Sequence, residues 1–120
     1  MIVAGRGNNG GDGFVAAAEL AERGCDASVM LLCRRDTLKG DAARAAAQWH
    51  GPTLGLDPTR LGKPTLIIDA LFGAGLNRPV KGDARAMIEA INQYATEQKI
   101  IPRPFKMDEI WAKGTLDLVG

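Results

Sequence analysis

A chain of 120 residues, 46% of them hydrophobic, is long enough for one packed core and too short for two. Its 15 basic and 14 acidic side chains leave a formal charge of +1, which gives no electrostatic reason for nucleic acid or an anionic membrane as the main partner. No apolar run approaches the roughly 20 residues that span a bilayer, and Met1 leads into a strand-like run without the regions of a signal peptide, so a cytoplasmic setting and a small-molecule partner are expected.

In chain order, Met1–Ala4 reads as a buried strand running into the glycine-dense stretch Gly5–Gly13. A helix is predicted over Asp12–Arg23, with Phe14, Val15, Ala18 and Leu20–Ala21 facing a sheet and Gly24 as its C-terminal cap. Glycines permit positive φ and close approach of a ligand to the backbone. A helix starting just afterwards aims unpaired N–H groups and its dipole at the same space, which suits a phosphate or other anion. Asn8, Asn9 and Asp12 add side-chain oxygens for a hydroxyl, an amide or a hard cation.

Ala27–Leu32 reads as a second strand bracketed by Cys25 and Cys33, which at about 3.3 Å per residue would lie roughly 26 Å apart and could not bridge within it. Neither cysteine has metal-ligand spacing, so both read as ordinary thiols. An alanine-rich helix is predicted over Gly40–Trp49; His50, just beyond it, reads as a helix-terminal or surface residue rather than a catalytic one. Thr53–Pro64 reads as a loop. Leu66–Ile68 is the third predicted strand and feeds a second glycine-containing loop, Asp69–Val80. A helix follows over Asp83–Ala95, with Met87, Ile88 and Ile91 on one face. Lys99–Ile101 is a candidate further strand. Beyond it, Met107, Ile110 and Trp111 have helical spacing, Gly114 is a cap, and Thr115–Val119 is a candidate strand. The division is a domain over residues 1–98 and a tail, 99–120, packed on or extending it.

Strands alternating with helices predict an α/β fold with a mostly parallel sheet and helices on its faces. In such sheets the loops at the carboxyl ends of the strands share one edge, and ligands bind where neighbouring connections diverge to opposite faces. Both glycine loops should meet there: the first with Asn8, Asn9 and Asp12, the second with Asp69 and the N–H groups of Gly73 to Leu76. Taken alone, Asp69 also reads as a turn former or helix cap. Gly5-x-Gly7-x-x-Gly10 after a strand also matches the dinucleotide fingerprint, and Arg34-Arg35 stand where an arginine would accept a 2′-phosphate. An NADP-binding Rossmann domain of an oxidoreductase is therefore a rival reading; both arginines also read as solvated loop charges.

The string Gly7-Asn8-Asn9-Gly10-Gly11-Asp12-Gly13, together with Asp69-Ala70-Leu71-Phe72-Gly73-Ala74-Gly75-Leu76 and Arg78-Pro79-Val80, closely resembles the NAD(P)H-hydrate epimerase family, of the YjeF amino-terminal domain type. Leu38–Ala42 and Ile91-Asn92 resemble it too, so the likeness covers roughly residues 1 to 93. It implies a Rossmann-like three-layer α/β/α fold and interconversion of the R and S forms of hydrated NADH and NADPH with a bound potassium ion. Carried over by position, Asn8, Asn9, Gly10, Gly11 and Asp12 would contact the hydrated dinucleotide. Gly73, Ala74, Gly75, Leu76, Asn77, Arg78 and Pro79 would wrap its phosphates. Asn9 and Asp69 would ligate potassium, and Asp12 is the motif carboxylate nominated for proton transfer. The resemblance further implies frequent fusion to a hydrate dehydratase domain. An open sheet edge would invite a second copy, giving a homodimer.

Family members also carry an Asp-x-Pro-Ser-Gly block, whose aspartate contacts substrate and whose serine helps hold potassium, and a helical segment before the first strand. Neither is present in this sequence. The alternative to a working epimerase is thus a catalytically impaired fragment or variant that binds a nucleotide without turning it over.

Overall fold

A computed structural model describes residues 1–73 and 79–110. Four three-residue strands, β1 (Ile2–Ala4), β2 (Val29–Leu31), β3 (Thr53–Gly55) and β4 (Ile68–Ala70), form an all-parallel sheet in the order β3-β2-β1-β4. The helices are α1 (Asn8–Glu22), α2 (Gly40–Ala47), α3 (Gly82–Glu97) and the short α4 (Met107–Ile110). Two successive crossovers step outward from β1 through β2 to β3. The chain then returns to lay β4 on the other side of β1, so strand order reverses between β1 and β4.

Side chains alternate across the sheet and make two cores. Ile2, Ala4, Val29, Leu31 and Ala70 pack with Phe14 and Ala17 of α1 and Ala42 and Ala46 of α2. Val3 and Met30 point the other way, into Leu71 and Met87 and Ile88 of α3. The result is the expected three-layer α/β/α arrangement. Among the described residues no helix is long and apolar enough to cross a membrane.

Several boundaries differ from the sequence reading. The first helix begins at Asn8, four residues before the expected start, because Gly10, Gly11 and Gly13 are helical and buried against neighbouring backbone and side chains. Their low helix propensity concealed that packing role. Val15, expected to face the sheet, is 57% exposed, and Ala17 takes the inner position. Thr53–Gly55, read as loop, is the edge strand β3: it pairs with β2, but its residues are only half-buried or exposed, so it lacks a strand's apolar signature. β4 lies two residues beyond the expected strand and takes in Asp69, leaving Leu66 57% exposed. The second helix ends at Ala47 rather than Trp49, and the third runs from Gly82 to Glu97.

Lys99–Ile101 forms no strand. Lys99 has φ of 59°, and the N–H groups of Lys99 and Ile100 donate to Thr96 and Ala95 at 3.0 and 2.9 Å, closing α3 as a Schellman turn. The following segment folds back on α3: buried Asn92 accepts from the Phe105 N–H at 3.1 Å and donates to the Phe105 carbonyl. Met107 packs against the second core. Arg103 grips Glu109 at 2.8 Å and, through that hydrogen bond, holds its carboxyl down at about 2. The expected roles of Trp111, Gly114 and Thr115–Val119 lie outside the described residues.

Candidate functional site

The two glycine loops leave the sheet from adjacent strands, at the point where the chain reverses direction across it. From β1 the chain passes through Gly5–Gly7 into α1 on one face; from β4 it passes through Leu71–Gly73 toward α3 on the other. Their approach is tight. Gly5 N–H donates to the Ala70 carbonyl at 2.9 Å, and a Cβ on Gly5 would stand 1.9 Å from the Leu71 carbonyl oxygen. A Cβ on Gly10 would meet the Gly5 carbonyl oxygen at 1.9 Å, and one on Gly13 would meet the Ala70 and Ile2 side chains at 2.9 and 3.1 Å. These glycines seat the start of α1 against β1 and β4, while Gly11 does the same against Ala42 of α2, at 3.0 Å.

None of the glycines from Gly5 to Gly13 has positive φ, so the conformational freedom expected of them is not what the loop uses. Gly7 stands apart. It is the N-cap of α1 with extended backbone, φ −91° and ψ −167°, and a Cβ there would meet nothing within 4 Å. Space is open at this glycine and closed at its neighbours.

Among the described residues the start of α1 also lacks the usual neutralisers. No side chain caps it and no acid lies in its first turn, whereas α2 and α3 begin with Asp41 and Asp83. The first intrahelical bond is donated by Gly11 to Gly7, at 3.1 Å. The N–H groups of Asn8, Asn9 and Gly10 therefore lie at the positive end of a 15-residue helix.

One side chain ties the loops together. Asn9 Nδ2 donates to the Phe72 carbonyl at 3.0 Å, and Gly73 lies against the Asn9 side chain. Among the described residues the Asn9 Oδ1 has no hydrogen-bond donor. Asp69 uses Oδ1 to accept from the Leu71 N–H at 3.0 Å, closing the turn out of β4; its second oxygen accepts from none of the described residues. Amide and carboxylate oxygens are both hard donors. Among the described residues no three of His, Cys, Asp and Glu gather as metal ligands.

Asn8, Asn9, Gly10 and Gly11 thus stand in the first turn of α1, and Gly73 beside Asn9. Asp12 is exposed one turn further along the helix rather than in the loop. Pro79 is exposed before α3. Ala74, Gly75, Leu76, Asn77 and Arg78 lie outside the described residues. Sequence reasoning missed Phe72 as a partner, because it takes part through its backbone carbonyl, which carries no residue-type signal. Arg35 is spent on structure: it donates to the carbonyls of Ala46 and Trp49 at the end of α2, the latter at 2.6 Å. Arg34 pairs with exposed Asp36. Cys25 and Cys33 are both free, and His50 is exposed.

Comparison with known proteins settles the family. The family model described as YjeF-related protein N-terminus matches residues 1–101. The chain belongs to that family. An NAD(P)H-hydrate epimerase of Achromobacter xylosoxidans is 37% identical over all of the chain and 63% of its own length. A bifunctional NAD(P)H-hydrate repair enzyme Nnr of Coxiella burnetii is 42% identical over 77% of the chain and 20% of its own length. The crystal structure of yeast ynu0 superposes with a TM-score of 0.65 at 26% identity, covering 79% of the chain and 42% of the yeast protein. The chain therefore spans less than two-thirds of the length of these curated relatives.

Proposed function

We propose that this chain is a domain of an NAD(P)H-hydrate epimerase, an isomerase that interconverts the R and S forms of hydrated NADH and NADPH. The observation that carries the reading is the Asn9–Phe72 hydrogen bond, which joins the two family blocks at the start of α1. Names of relatives support the substrate class. The pyrophosphate would lie on the N–H groups of Asn8, Asn9 and Gly10, where an anion gains from the helix dipole.

Asn9 Oδ1 and the second carboxylate oxygen of Asp69 would supply two ligands to a potassium ion, whose charge would fix the dinucleotide between the loops. Asp12 is the proposed proton carrier. In epimerisation the hydroxyl leaves the hydrated ring carbon with a proton, as water, and a ring cation remains; water then adds to the opposite face and gives one proton back, so protons and oxygen balance. A carboxylate one helical turn beyond Asn8 can hold that proton and stabilise the cation. A cytoplasmic setting, a homodimer across the exposed edge of β4, and a dehydratase domain elsewhere in the protein complete the reading; the bifunctional relatives support the last of these.

A second reading is nucleotide binding without turnover: these 120 residues contain no Asp-x-Pro-Ser-Gly block, to which the family resemblance assigns one substrate carboxylate and one potassium ligand. The test is conversion of R-enriched hydrated NADH to the S form in potassium buffer, followed by chromatography against the uncatalysed rate. Acceleration supports the epimerase. Saturable binding without acceleration leaves the second reading, and no binding overturns both.

A further inference from the structure

One tetrapeptide occurs twice. Lys39-Gly40-Asp41-Ala42 opens α2, and Lys81-Gly82-Asp83-Ala84 opens α3. The two copies share a backbone shape: the lysines are extended N-caps with φ −132° and −133° and ψ 160° and 170°, and the glycines after them have φ 58° and 59°. Each helix follows a strand of the parallel sheet, so both starts lie at its carboxyl edge. A cavity beyond β2 and β3 is lined by Asp83 together with Cys33 and Leu56, which places the start of α3 at that edge. α2 packs on the face that carries α1, and α3 on the other.

Folding accounts for three of the four positions. The positive φ favours glycine. Asp41 and Asp83 bring a negative charge to the first helical turn, and Ala42 and Ala84 are buried. The lysines are the remainder. A cation at the start of a helix opposes the helix dipole. Both lysines are exposed and cap nothing, and among the described residues neither joins an ion pair. A bound anion would turn each from a charge that the helix resists into one that the site uses.

The packing brings such an anion within reach. Gly11 of α1 is seated on α2, where an added Cβ would stand 3.0 Å from the Ala42 Cα. Both helices run back from the carboxyl edge, so three residues earlier, about 4.5 Å along each axis, Asn8 comes level with Lys39. Lys39 therefore stands beside the N–H groups to which the pyrophosphate is assigned above. Lys81 closes the second loop, whose beginning lies against Asn9 at Phe72 and Gly73. Its neighbour Val80 packs into the same core as Leu71 and Phe72.

We propose that Lys39 and Lys81 are a matched pair of substrate-binding residues that close on the diphosphate of the dinucleotide from the two faces of the sheet, one ammonium to each phosphate. The proposal rests on the functional reading above and adds to it the side chains that neutralise the two phosphate charges. Neither lysine takes part in the chemistry at the nicotinamide ring.

The test titrates ADP-ribose, which carries the diphosphate but no nicotinamide, calorimetrically into the whole chain and into Lys39→Met, Lys81→Met and the double variant, with urea midpoints measured in parallel. Each single substitution should weaken ADP-ribose roughly five- to tenfold, and the double variant by about the product. Lys39→Arg and Lys81→Arg should keep most of the affinity. Added salt should weaken binding to the unaltered chain more steeply than to the double variant. The urea midpoint of each Met variant should hold or rise, because a charge opposing the helix dipole is gone. Lysines with a purely structural role predict the reverse, a lower midpoint with unchanged affinity. That result, a loss in one variant alone, or no binding by the unaltered chain would overturn the pair. Epimerase assays separate the two levels. Turnover of hydrated NADH by the double variant at the KM of the unaltered chain overturns this inference alone; lysine-dependent binding of ADP-ribose without turnover leaves the pair standing and removes the epimerase.

Discussion

The loops after β1 and β4 meet at one edge of the sheet but are held by opposite means. The first is shaped by missing side chains: Gly5, Gly10 and Gly13 are small because backbone or packed side chains occupy the space a Cβ would need. The second is shaped by side chains that are present: Asp69 closes its own turn, and Asn9 reaches across from α1 to hold the Phe72 carbonyl. Steric exclusion tolerates almost no substitution, whereas a hydrogen bond at a half-exposed site can be lost in part to water. The same glycine-rich string therefore contains positions set by folding and one, Gly7, that folding leaves free.

Substitutions can break that comparison, beginning where the effect is greatest. Gly10→Ala drives a methyl group into the Gly5 carbonyl oxygen and should destabilise the chain by about 3 kcal/mol or more, read as an urea midpoint that collapses toward zero. A Gly10→Ala protein with unchanged midpoint would show that the seat of α1 can shift. Asn9→Ala removes the inter-loop bond and should cost about 1–2 kcal/mol, together with nucleotide affinity; Asn9→Asp, which faces a carboxylate to the Phe72 carbonyl, should be no better. Asp69→Ala opens only a local turn and should cost about 0.5–1 kcal/mol, so a loss as large as that for Gly10→Ala would contradict the contrast. Gly7→Ala should leave stability within about 0.5 kcal/mol, because its φ suits any residue and nothing fills the space beside it.

The layering of the fold was legible because β1, β2 and α3 carry their apolar residues at the right periods, and because the glycine strings mark strand-to-helix turns. Beyond that, the physics was not local. β3 has no alternation to betray it and is a strand because β2 offers it an edge. Lys99 reads as part of a strand run, yet the end of α3 forces it into a conformation that favours glycine. In the site, Asn9 and Asp69 could be named from the sequence, but their partners are main-chain groups of Phe72 and Leu71, which no residue type announces. Arg35 illustrates the converse: a side chain that invites a phosphate in the sequence is consumed in the structure by the end of α2.

Gly7 offers the most direct test of the site itself. Hydrated NADH titrated calorimetrically into the unaltered chain and into Gly7→Ala, with melting temperatures measured in parallel, separates folding from ligand contact at that one position. A nucleotide seated over the start of α1 predicts saturable binding that Gly7→Ala weakens roughly tenfold while the melting temperature holds. Equal affinity in both proteins, or no binding by the unaltered chain, would contradict a nucleotide site between the two loops.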